Sequence, residues 1–216
     1  MERKLLFKDK LTKLELTLNQ DKWLNYKDIL TLKKTDSKIL FDLLLEYDIN
    51  SIEVYESSKK VTPIHIWRSI CQIGNIEDFE KLLKVLIDID NLDAVWLQLD
   101  FPKITSIYGV AVLSIIQQVF DDVKVDGVYK LCLLNSIKKL YHFDEDSNQK
   151  IRTIIKTFFV KYVGELDEEF VNYVLQILVG FQTDDFTSLL FELDEKEIIN
   201  LNLILPEILD ELIEQY

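Results

Sequence analysis

The sequence predicts an all-α protein: a right-handed α-α superhelix of about five to six antiparallel helix pairs. Three observations predict it. Beyond residue 60, apolar residues recur at spacings of three and four. Punctuation is sparse, with five Gly and three Pro in 216 residues, fewer than the turns of an all-β fold require. Helix pairs begin near 62, 91, 125, 167 and 196. Pairs repeating at roughly 30–40 residues cannot bury their apolar faces alone, and so stack on their neighbours.

The first pair carries the clearest signals. Thr62 is placed to cap a helix, Pro63 suits its first turn, and Gly74 is placed to stop it in a left-handed conformation. Ile76, Phe79, Leu82, Leu83 and Leu86 then mark a second helix, joined to the first by two or three residues as an αα-hairpin. A short helix over 91–99 is predicted to break at "DFP", with Pro102 opening a helix striped by Ile104, Ile107, Ala111, Ile115 and Val119. A third pair covers about 125–141 and 149–163, and a fourth about 167–180 and 183–193. A short segment near 195–202 and a helix over about 205–215 close the chain. Residues 1–60 read as a mostly helical N-terminal cap, with "YKDILTL" and "SKILFDLLLEYD" as one helix pair and "LTKLELTLN" open between strand and helix. Residues 61–216 read as the repeat array, packed as one continuous domain.

Over about residues 60–200 the chain resembles bacterial HEAT-like repeat proteins. "TPIHIWRSICQIGNIEDFEKLLKVL" keeps Pro63, Ile64, His65, Trp67, Arg68, Gln72, Gly74 and the Leu82–Leu83 pair of a "PIHAWRALGQL…A…LL" repeat. "VWLQLDFPKITSIYG" (Trp96, Pro102, Gly109) and "EEFVNYVLQILVGFQ" (Asn172, Leu175, Leu178) look like later repeats of the same kind. The resemblance implies a HEAT-like solenoid that acts as a binding scaffold, and it supplies no catalytic residue. Some HEAT-like folds, DNA glycosylases and bilin lyases among them, do host catalysis.

Charge narrows the partners. The net charge of −13 is uneven: residues 1–40 hold ten Lys/Arg against six Asp/Glu, whereas residues 163–216 hold one against fourteen. An acidic C-terminal third repels phosphate backbones, so neither nucleic acid nor an anionic membrane is expected as partner. The acidic third reads first as a solvated surface and second as a surface for a basic partner; the expected partner is a protein or peptide. The longest uncharged run, residues 104–120, has 17 residues and carries six polar side chains, so it reads as a central helix rather than a membrane span of about 20 apolar residues. Cys71 and Cys132 lie in helical apolar patterns and form neither a disulfide framework nor a zinc spacing, which points to a cytoplasmic protein.

Candidate chemistry is confined to one stripe. His65, Arg68, Ser69 and Gln72 fall at i, i+3, i+4 and i+7 of one helix, while Ile66, Trp67, Ile70 and Ile73 turn toward neighbours. His65, Arg68 and Gln72, with Trp96, are the candidate partner-contact residues. The competing reading is that they make hydrogen bonds within the chain, to the loop preceding the helix or to the next repeat. No metal, cofactor or catalytic residue is expected: His65 and His142 are remote from each other, and no phosphate loop or nucleophile elbow occurs. Asp144, Asp146 and Asn148 start like a calcium loop, but Gln149 and Ile155 stand where its Gly and Glu belong. Glu168, Glu169, Asp184 and Asp185 sit at helix N-termini, where acids complement the macrodipole.

The functional expectation is a non-enzymatic protein- or peptide-binding scaffold, monomeric or a weak homodimer. The alternatives are an enzyme or small-molecule binder with a pocket near His65, Arg68 and Trp96, and a self-associating structural protein.

Overall fold

The computed structural model describes residues 2–14, 22–49, 61–87, 95–122, 124–141, 144–162, 174–175, 177–178 and 184–196. Helix makes up 83% of them and no strand occurs among them, so the all-α expectation is met. The elements are α1 (Glu2–Leu11), α2 (Tyr26–Leu30), α3 (Ser37–Leu44), α4 (Thr62–Ile73), α5 (Ile76–Ile87), α6 (Val95–Tyr108), α7 (Leu113–Asp121), α8 (Gly127–Ile137), α9 (Glu145–Tyr162) and α10 (Asp184–Glu195). The predicted segments at 195–202 and 205–215 lie almost wholly outside the described residues, as does "SIEVYESSKK". The chain forms two compact units, Met1–Val112 and Leu113–Tyr216.

In the first unit α4 is the hub. α3 lies along it, and α1, α2, α5 and α6 all touch it, so the N-terminal helices share one core with the first predicted repeat. The reason is compositional: eleven of its twelve side chains are buried, all but Gln72. A helix apolar around most of its circumference must be enclosed. Phe7, Leu11, Leu40, Leu43 and Phe79 of the helices that touch it are buried with it, each contributing roughly 1.5–3 kcal/mol.

Two expectations about α4 are corrected. Thr62 does not cap it: Val61 holds the cap position without a side-chain bond, and Thr62 is already helical with Oγ1 buried and unpartnered among the described residues. Gly74 is not left-handed but extended, at φ −69° and ψ 165°. Glycine is required there for space. A Cβ would lie 2.8 Å from Tyr108 Oη, 2.9 Å from Asp78 Cβ and 2.9 Å from the Ile70 carbonyl oxygen. The next helix is capped reciprocally, Asn75 N–H donating to Asp78 Oδ2 and Asp78 N–H to Asn75 Oδ1.

The predicted break at "DFP" does not occur. α6 runs from Val95 through Pro102 to Tyr108, and the interruption comes at a 3-10 turn over Gly109–Val112, where Gly109 takes φ +64°. Buried Asp100, Phe101 and Ile104 anchor the helix on either side of the proline, so tertiary contacts outweigh its local penalty. The helical run Leu99–Asp121 has 23 residues, and its most apolar 18-residue window has a mean hydropathy of 1.4; by length and composition only, it could cross a membrane, and 44% of that window is buried.

In the second unit α7 and α10 pack on α9, and α8 lies beside α7 and α9. Phe120 meets Phe158 edge-on at 5.8 Å, and Ile116, Leu133, Ile137 and Ile154 of the same unit are fully buried. Asp144, first in the calcium-like sequence, instead caps α9: Ser147 N–H donates to Oδ1 at 2.7 Å and Ser147 Oγ to Oδ2 at 3.0 Å.

Candidate functional site

The polar stripe of α4 faces the interior of the first unit. His65 and Arg68 are fully buried, and Gln72 is half-buried. Their partners arrive from two directions: the Trp23–Leu30 segment with α2, and α6.

Asp100 on α6 is the focus. Arg68 Nε donates to its Oδ2 at 2.8 Å and Arg68 Nη2 to its Oδ1 at 2.7 Å. Trp67 Nε1 donates to Oδ2 at 2.7 Å. Adjacent residues on a helix point about 100° apart, yet the length of arginine and the breadth of the indole bring both donors to one carboxylate. The guanidinium also lies over the Trp23 ring, 5.1 Å from its centroid. The buried charge thus meets the Asp100 carboxylate, the Trp23 face and the Tyr26 hydroxyl.

On the other side, Tyr26 Oη lies 2.7 Å from His65 Nδ1, with the rings tilted at 57°. Burial raises the Tyr26 pKa to about 12, against the opposing influence of Arg68. Burial first, and the Arg68 charge second, lower that of His65 to about 4. The imidazole is therefore neutral near pH 7, and the assignment that follows has Tyr26 donating to Nδ1 with the proton on Nε2. Nε2 lies toward the Leu14 backbone but makes no hydrogen bond of ordinary geometry. Gln72 completes the stripe. Its Oε1 accepts from Tyr26 N–H at 2.9 Å and Lys27 N–H at 3.3 Å, and its Nε2 donates to the Leu24 carbonyl at 2.7 Å.

One turn further, Cys71 sits beside Tyr108 and Asp100. Burial pushes its thiol well above the usual range, and it likewise raises the Tyr108 phenol. A thiol held protonated is a poor nucleophile.

His65, Arg68 and Gln72 are therefore brought together and bonded within the chain: Arg68 to α6, as the competing reading allowed, and His65 and Gln72 to the 24–27 segment rather than to the loop preceding α4. Trp96 lies on α6, its side chain outside the described residues, and His142 falls outside them as well. Asp100, Tyr26 and Trp23 were missed. Asp100 had a signal: it is the one charged residue between Asp93 and Lys103, in the apolar run "AVWLQLDFP", where a lone acid is a buried acid awaiting a partner. Tyr26 had none, because nothing local ties residue 26 to residue 65. Among the described residues no three His, Cys, Asp or Glu side chains gather as metal ligands.

Compared with known proteins, the chain matches no family model, no curated protein and no solved structure.

Proposed function

We propose that the chain is a non-enzymatic scaffold whose helix pairs stack as a right-handed HEAT-like superhelix and bind a protein or peptide of basic character. One observation carries the reading. The richest polar and aromatic cluster of the sequence, His65, Trp67, Arg68 and Gln72, is directed to Tyr26, Asp100 and the 24–27 main chain rather than to solvent. Groups committed in this way align helices, which is what a stacked array requires of its interior. Recognition then belongs to outer surfaces, and the acidic sequence beyond residue 163 favours a cationic partner. The cytoplasm is the proposed location, consistent with two free, buried thiols.

The test is affinity capture of the full chain from native lysate at low salt, followed by mass spectrometry and calorimetric titration of the captured protein. Saturable binding that weakens with rising salt supports the reading. Recovery of no partner, or heat of turnover with a metabolite library, overturns it. Small-angle scattering tests the superhelix separately, since stacked pairs give a larger radius of gyration than a globule of 216 residues.

A further inference from the structure

The segment from Trp23 to Leu30 crosses α4 as a strap, and its polar attachments converge on three residues of that helix. Gln72 holds its main chain, Arg68 lies over Trp23, and His65 meets the Tyr26 hydroxyl. We propose that this strap is acid-released: a proton entering His65 detaches the Tyr26 segment from α4 and opens the first unit.

Among the described residues, the side chain bonded to the His65 ring is the Tyr26 hydroxyl and not an acid. Arg68, one turn along α4, is already cationic, and both oxygens of Asp100 from α6 are engaged by Arg68 and Trp67. From α2 the facing group is the neutral Tyr26 hydroxyl. From α1, Arg3 is held by Asp36, Lys8 by Glu46, and Lys10 by the Ile29 carbonyl. Asp36, which precedes α3, is bound to Arg3, and Asp78 of α5 caps its own helix. A protonated imidazole donates from both nitrogens, so Tyr26 loses its acceptor, and the Leu14 backbone offsets burial and the Arg68 charge only in part.

The sign follows from the lowered pKa. His65 contributes stability that is complete above its unfolded value of about 6.5 and falls as pH drops to about 4. Over that window the folding constant falls about tenfold per pH unit, or roughly 100-fold by pH 4.5. The inference rests on the interior of the first unit and stands apart from the scaffold reading.

The experiment is urea unfolding of the full chain from pH 7.5 to 4.5, with hydrogen exchange read at residues 23–30. His65→Gln keeps a group that can bond Tyr26 but takes no proton in this range. The wild type is expected to lose about 100-fold more folding constant than the variant, with amides of residues 23–30 opening before those of α5. Equal pH dependence in the two proteins overturns the proposal. Should His65→Gln fail to fold, the His65 imidazole is titrated by NMR in the wild type, with His142→Gln for assignment. A midpoint near 4 that coincides with opening of residues 23–30 upholds the strap. A midpoint at or above about 6, or titration without opening, overturns it.

Discussion

Arg68 and Asp100, 32 residues apart, form a two-point ion pair in which both side chains are 1% exposed. Removing two charges from water is expensive, and the pair is viable because its geometry is forked and Trp67 supplies a further donor. Such a pair fixes which helix faces which more than it adds net stability. That asymmetry makes it testable.

Arg68→Met leaves Asp100 buried without its counter-charge and is expected to destabilise the fold by about 3–5 kcal/mol. The double variant Arg68→Met/Asp100→Leu should recover most of that loss, because no unpaired charge remains. Arg68→Lys is not conservative here, since an ammonium cannot make the forked contact. Urea unfolding of the three variants checks the pattern, and a double variant as unstable as the single one would contradict it.

Tyr26→Phe removes the hydroxyl facing His65 and leaves Nδ1 unpaired in the interior. A loss of about 1–3 kcal/mol is expected, with the far-UV circular dichroism unchanged. Thermal melts at pH 7.5 measure it.

Gly74→Ala places a methyl where Tyr108, Asp78 and the Ile70 carbonyl already are. About 1–3 kcal/mol of destabilisation follows, as for overpacked cores. Adding Tyr108→Phe relieves one of the three contacts and should restore only part of the loss. Gly109→Ala meets no neighbour and instead suffers from its φ of +64°, costing about 1–2 kcal/mol; Gly109→Asn should be milder.

Thr31 closes α2 in the left-handed region at φ 53°, an unfavourable position for a β-branched residue. Thr31→Asn is expected to raise stability by up to about 1 kcal/mol, readable as a higher urea midpoint with the same slope.

Cys71 and Cys132 are both buried, and burial raises both thiols, that of Cys132 to about 11. Neither should react with a thiol reagent at pH 7.5 until the protein is unfolded, when both react. Fast labelling of the native chain would show that one of them is accessible.

The helices from Thr62 to Ile87 were legible because their spacing, Pro63 and the Leu82–Leu83 pair are local signals within one or two turns. The reading failed where a local signal met a distant contact. Pro102 looked like a helix start, yet Asp100 and Phe101 beside it are held in the core, so α6 continues through it. Gly74 looked like a left-handed stop, but the space it leaves is set by Tyr108, a residue of another helix.

By itself the sequence determined that the chain is helical and that His65, Arg68 and Gln72 share one face of α4, because a period of 3.6 residues is written locally. Only the tertiary structure decided that this face turns inward. Its partners Tyr26 and Asp100 lie 39 and 32 residues away, and a polar side chain reads alike in sequence whether it meets water or a buried carboxylate.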